Sequence, residues 1–133
     1  MNDYLLDGIG GAFLVMLFGL GLLFILVAIL IEAAVMAKMK FMENFKKSLL
    51  VSFVANILSM AAGIVLSNAD EDLFNLKTLQ GFAVYFAVTL VIEFIVMYLM
   101  NKKVAVQRTL WVCTVMNLVT YAIAAFLILV IFN

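Results

Sequence analysis

The chain has 133 residues, 68% of them hydrophobic and 12% charged, with eight basic residues balancing eight acidic ones. Soluble domains run near 45–50% apolar and about 25% charged, so this composition excludes an ordinary water-soluble globule. No basic patch offers the electrostatic footprint that nucleic acid needs. The single cysteine, Cys113, excludes an internal disulfide, and the absence of histidine argues against the usual zinc and iron sites.

Residues 8–31 form an uncharged run of 24 positions, residues 48–69 one of 22, and residues 109–133 one of 25. Residues 78–101 make a fourth run of 24 with one charge, Glu93. A helix needs roughly 20 apolar residues to cross the hydrocarbon. Only helices and closed barrels satisfy their backbone there, and the continuous runs lack the alternation of a barrel strand. The expected fold is an all-α integral membrane protein with four transmembrane helices, at about 11–37, 48–67, 79–101 and 109–132. The start carries Asp3 and Asp7 ahead of any basic residue, so it is not expected to be a cleaved signal peptide.

The first span opens with Gly8, Gly10 and Gly11 and has Gly19 and Gly21 near its middle. Small residues allow close helix approach. Gly21, Ile25, Ala28 and Glu32 fall on one face, which is expected to turn inward because Glu32 cannot favourably face lipid. A turn with Lys38, Lys40, Lys46 and Lys47 against Glu43 follows. In the second span Ser48, Ser52, Asn56, Ser59, Gly63 and Ser67 make one small, polar stripe at steps of three and four. Its obvious use is close packing with interhelical hydrogen bonds.

The loop at 67–78 is acidic, with Asp70, Glu71 and Asp72, and its Leu73, Phe74 and Leu76 are expected at the membrane interface. The third span holds Glu93, with Thr89 one turn before it. The next turn carries Lys102, Lys103 and Arg108 and no acid. The fourth span repeats the stripe as Thr109, Cys113, Asn117, Thr120 and Ala124.

Seven of the eight basic residues lie in the first and third turns. Basic residues in short loops stay in the cytoplasm. The expected placement is therefore a bacterial inner (plasma) membrane with both termini outside and the basic turns inside.

Glu32 and Asn56 recur 61 residues later as Glu93 and Asn117, and residues 31–61 align with 92–122 without a gap. Polar matches carry the most weight in an oily chain: Lys47 with Arg108, Ser48 with Thr109, Ser59 with Thr120. The domain reading is two helical hairpins, residues 1–66 and 79–133, joined by the acidic outer loop. Two spans per unit give both halves the same sense, so they are expected as parallel repeats about a pseudo-two-fold axis along the membrane normal. Asn56 lies nine residues past Lys47, or roughly 13 Å of helix. Glu32, Asn56, Glu93 and Asn117 are thus expected in one layer in the cytoplasmic half.

That layer is the candidate ion or proton site. Two facing carboxylates cannot both ionise comfortably, so one holds a proton or a cation sits between them. Carboxylate and carboxamide oxygens suit hard cations of unknown identity; no other cofactor is implied. Ser52, Ser59, Cys113 and Thr120 support the layer. The alternative is structural: each Glu ties helices through an Asn amide, or Lys47 and Arg108 bend down to the carboxylates. A softer reading gives Met36, Met39, Met97, Met100 and Cys113 to Cu(I); Met is also a common gap-filler.

Enzyme chemistry has no support in the residues present. Two functions remain: a small transport-type protein handling a cation or proton, or a non-catalytic accessory, assembly or scaffold subunit. Partners are the lipid bilayer and a homo-oligomer or larger membrane complex. Duplication of the polar layer favours transport. An expected lack of further polar residues toward the outer face favours the subunit. The discriminating feature is a hydrated path from the layer to both surfaces.

Overall fold

The computed structural model describes residues 3–69 and 79–132, and the side chains treated below lie between residues 19 and 126. The acidic stretch from Asp70 to Lys77 lies outside the described residues, as does the side chain of Ala124. Four helices account for the described chain: α1 (Asp3–Lys38), α2 (Phe45–Ala69), α3 (Leu79–Met100) and α4 (Val106–Phe132). Among the described residues three stretches are long and apolar enough to cross a membrane, Gly21–Lys38 of α1, Phe45–Ala69 of α2 and Ala83–Met100 of α3. Helix α1 begins well before the expected position 11. Helix α2 runs through Ala69, so the first residues assigned to the outer loop are helical.

The helices close into a ring. Within the described residues α1 packs on α2 and α4, α3 packs on the same two, and the backbones of the diagonal pairs stay apart. The outward surface is apolar: Leu22, Leu26 and Leu30 on α1, Leu50, Phe53 and Ile57 on α2, Val91 and Ile95 on α3, and Leu110 and Leu118 on α4 are exposed. Tyr98 and Trp111, within a turn or so of the basic turns, are also exposed, as amphipathic rings at a membrane boundary are.

Helix α1 stops at a Schellman motif. Phe41 N donates to Met36 O at 2.9 Å and Lys40 N to Ala37 O at 3.0 Å. Lys40 sits at φ 51°, the left-handed position that glycine usually fills. Phe41 turns into the core beside Met36, the hydrophobic contact this motif favours. Helix α2 then starts at an N-cap, Asn44, whose Oδ1 accepts from Lys47 N at 2.9 Å.

The apolar core lies at the basic-turn end. Met36, Phe41, Val51, Met97, Val112, Cys113 and Met116 are all buried there in one cluster. The two turns lock over it. Asn101 Nδ2 donates to Phe41 O at 2.6 Å, and Arg108 donates to Met39 O at 3.1 Å and Lys40 O at 3.2 Å. These carbonyls lie at the C-terminal end of α1, where carbonyls lack helical partners and a cation is favoured.

The inward face predicted on α1 is correct for Ala28 and Glu32, which are buried, but not for Gly21, which is exposed. A Cβ at Gly19 or Gly21 would meet nothing within 4 Å. The close approach is on α2, where Gly63 lies against the Tyr85 ring of α3.

Candidate functional site

Helical period builds the site. Steps of four, three and four put Ser48, Ser52, Ser59 and Gly63 on the buried side of α2, with Asn56 half-buried among them. The same spacing buries Thr109, Cys113, Asn117 and Thr120 on α4. Glu32 and Glu93 are each 1% exposed, so both carboxylates sit inside the ring with no water shell of their own.

Glu32 Oε2 accepts from Ser52 Oγ at 2.7 Å and from Asn56 Nδ2 at 2.5 Å. Its other oxygen accepts from Thr120 Oγ1 of α4 at 3.5 Å. Glu93 Oε2 accepts from Asn117 Nδ2 at 2.6 Å, while Ser59 Oγ of α2 donates to Asn56 O at 3.1 Å. The bonding is crosswise at Glu32. One turn of α4, from 117 to 120, reaches both glutamates, Asn117 bonding Glu93 and Thr120 bonding Glu32. A helical turn rises about 5.4 Å, so these bonds hold the two carboxylates in a common layer.

The two Glu–Asn pairs have different surroundings. Where Ser52 gives Glu32 a hydroxyl, Cys113 stands in the matching place, and its thiol is turned to Leu90 O at 3.6 Å. Asn117 Nδ2 donates both to Glu93 and to Cys113 O, at 3.0 Å. Both partners are acceptors, which fixes the orientation of the amide. Asn117 Oδ1 is then left buried with no hydrogen-bond partner.

Lys47 and Arg108 lie elsewhere. Lys47 pairs with exposed Glu43 one turn earlier, and Arg108 holds the α1 carbonyls. Glu43–Lys47 is the one ion pair among the described residues, so neither buried glutamate has a basic partner there. On the basic-turn side the layer is closed off by Met36, Phe41, Met97 and Met116, all at most 2% exposed. The sulfur-bearing residues Met36, Met97, Met116 and Cys113 pack there with half-buried Met39 and Met42, whereas Met100 is exposed.

Away from the basic turns the interior stays polar, contrary to the expectation of an apolar outer half. Thr89 is buried one turn out from Glu93, and Tyr121 donates to its hydroxyl at 3.3 Å. Tyr85 follows, one turn further, against Gly63. Tyr85, Thr89 and Glu93 fall at steps of four; that helical spacing was the signal from which Tyr85 could have been added to the other two. A shallow, open groove lies on the outer surface between α1 and α2, lined by Leu26, Ile29, Leu30, Leu49, Leu50, Phe53 and Lys46.

No protein-family model, curated protein or solved structure matches this chain.

Proposed function

We propose that the chain is a small integral membrane protein of transport type, which binds or conducts a proton or cation at Glu32, Asn56, Glu93 and Asn117. In this reading it is two parallel hairpin repeats with all four helices in the bilayer. The basic turns face the cytoplasm and the chain carries no enzymatic chemistry. One observation carries the reading: two carboxylates, each 1% exposed, share a layer in which the described residues supply no positive side chain. Burying an ionised carboxylate costs several kcal/mol even after relaxation. Hydrogen bonds from hydroxyls and amides to a charged group return about 1.5–3 kcal/mol each. They leave the net charge in place, so the layer calls for positive charge from a proton or a bound cation. Were the layer only glue, Gln at both positions would serve without that penalty.

The polar residues Thr89, Tyr121 and Tyr85 favour entry from the end opposite the basic turns. The apolar plug of Met36, Phe41, Met97 and Met116 bars the other end, and conduction requires it to open. That plug is also what favours the second reading, an accessory subunit whose polar layer only ties helices.

Thermal unfolding of the purified chain across pH and across Na⁺, K⁺, Mg²⁺ and Ca²⁺ tests the proposal. The parent is expected to respond to pH or to an ion, and the Glu32→Gln, Glu93→Gln double variant to lose that response. Parallel curves for both proteins under every condition would leave the subunit reading. Orientation is tested separately: cysteines placed at Asn44 and Ala105 are expected to label from the cytoplasm alone.

A further inference from the structure

Resting on that reading, we infer that the layer's ligand is a single calcium-sized divalent cation, held by Glu32, Glu93 and the free carboxamide oxygen of Asn117. Three observations converge. The two carboxylates are brought to one layer by bonds from one turn of α4, Thr120 to Glu32 and Asn117 to Glu93. The described residues supply no basic partner to either. Asn117, 1% exposed, aims its amide nitrogen at Glu93 and keeps an unpartnered oxygen in the same carboxamide.

The orphan oxygen separates a cation from a proton. A single proton shared between the glutamates leaves Asn117 Oδ1 without a partner, and one on Glu93 that donates to Asn117 Oδ1 leaves Glu32 as a buried charge; either deficit is costly. A cation answers both deficits together. Charge selects the valence: a +2 ion cancels two carboxylates in a low-dielectric interior, whereas an alkali ion leaves one negative charge behind. Ligand type selects hardness. The donors are carboxylate, carboxamide and hydroxyl oxygens; the thiol of Cys113 donates to Leu90 O, and its sulfur accepts from the Asn117 amide nitrogen. Size selects calcium over magnesium. Calcium accepts about 6–8 oxygens in irregular geometry, with carboxylates binding through one oxygen or two. The four glutamate oxygens, Asn117 Oδ1 and the Thr120 hydroxyl make a set of six. Magnesium demands a near-ideal octahedron and keeps several waters.

The test is calcium chloride titrated into the full chain in detergent after stripping with a chelator, read by calorimetry and by thermal unfolding. The expected result is one saturable equivalent of calcium that raises the melting temperature. Magnesium and sodium are expected to bind at least tenfold more weakly. Glu93→Gln should abolish the calcium heat, and Asn117→Ala should weaken it at least tenfold. Asn117→Asp, which keeps an oxygen at this position, should retain calcium binding, so the result does not depend on the alanine variant folding. Calcium binding unchanged in Asn117→Ala would overturn the assigned ligand set. A parent that ignores calcium but melts with a pH dependence lost in the double Gln variant would overturn the inference and leave the proposed function standing with a proton. A response to sodium in place of calcium would overturn the divalent assignment in the same way. Indifference to calcium, sodium and pH alike would remove both.

Discussion

Asn101 in the α3–α4 turn donates its side-chain amide to the backbone carbonyl of Phe41 in the α1–α2 turn, at 2.6 Å. Phe41 is 2% exposed and is part of the plug beneath the turns. This one bond thus joins the two hairpins at the place where the layer is closed off. Removing a partner from a buried carbonyl costs about 1–3 kcal/mol. Asn101→Ala is expected to lower stability by that amount in thermal unfolding. Asn101→Asp cannot donate and should lose as much. Arg108→Ala, at an exposed position, should lose less.

Lys40 occupies the left-handed position that ends α1. Glycine relieves the clash between Cβ and backbone there, offset by the larger entropy it brings to the unfolded chain. Lys40→Gly is expected to raise stability by about 0.5–1 kcal/mol, because the Lys40 side chain is exposed and bonds to nothing described. A drop in melting temperature would mean that the lysine makes a contact of its own.

Gly63 is the place where added bulk should hurt. A Cβ there would come within 2.0 Å of the Tyr85 hydroxyl and 2.6 Å of its Cζ, so the ring must move. Gly63→Ala is expected to cost about 1–3 kcal/mol, the usual range for overpacking. Trimming the ring should relieve it: Gly63→Ala with Tyr85→Ala should lose less than the two single changes added together. Additive losses in the double-mutant cycle would count against this contact.

Two neutral replacements of Glu32 separate charge from hydrogen bonding. Glu32→Gln keeps one oxygen to accept from Ser52 and Asn56, and its amide nitrogen can donate to the Thr120 hydroxyl, so the groups around the carboxylate keep partners. Glu32→Leu leaves them facing a hydrocarbon chain. Both variants remove the charge, so the difference between them reports the orphaned donors, about 2–4 kcal/mol in favour of Gln. Equal melting temperatures would show that the donors find other partners.

Glu43 carries the pH dependence expected at the surface. The Lys47 ammonium holds its carboxyl below the ordinary value of 4.5. A lowered value means that the folded chain binds this proton less readily than the unfolded chain. The pair's contribution is therefore present above pH 4.5 and fades as the pH falls through the lowered value. Glu43→Gln should melt slightly below the parent at neutral pH and together with it in acid. The gap at neutral pH should also shrink as salt is raised, because the pair is exposed.

The sequence by itself determined the helices and their buried stripes. A membrane helix has to satisfy its backbone internally, and a period of 3.6 residues sorts Ser52, Ser59, Cys113 and Thr120 onto inward faces whatever the neighbours are. It also determined that Glu32 and Glu93 are buried, since neither fits a lipid face. It could not determine which helices become neighbours or how each is rotated, because those depend on four surfaces fitting together at once. That fit decided the exposure of Gly21, the seat of Tyr85 against Gly63, and the use of Arg108 on α1 carbonyls instead of on a carboxylate. It also decided the crosswise bond. Thr120 reaches Glu32, 88 residues away in the chain, only because α4 closes the ring against α1. Closing that ring also leaves Asn117 Oδ1 buried with no hydrogen-bond partner, a consequence that no spacing along the chain encodes.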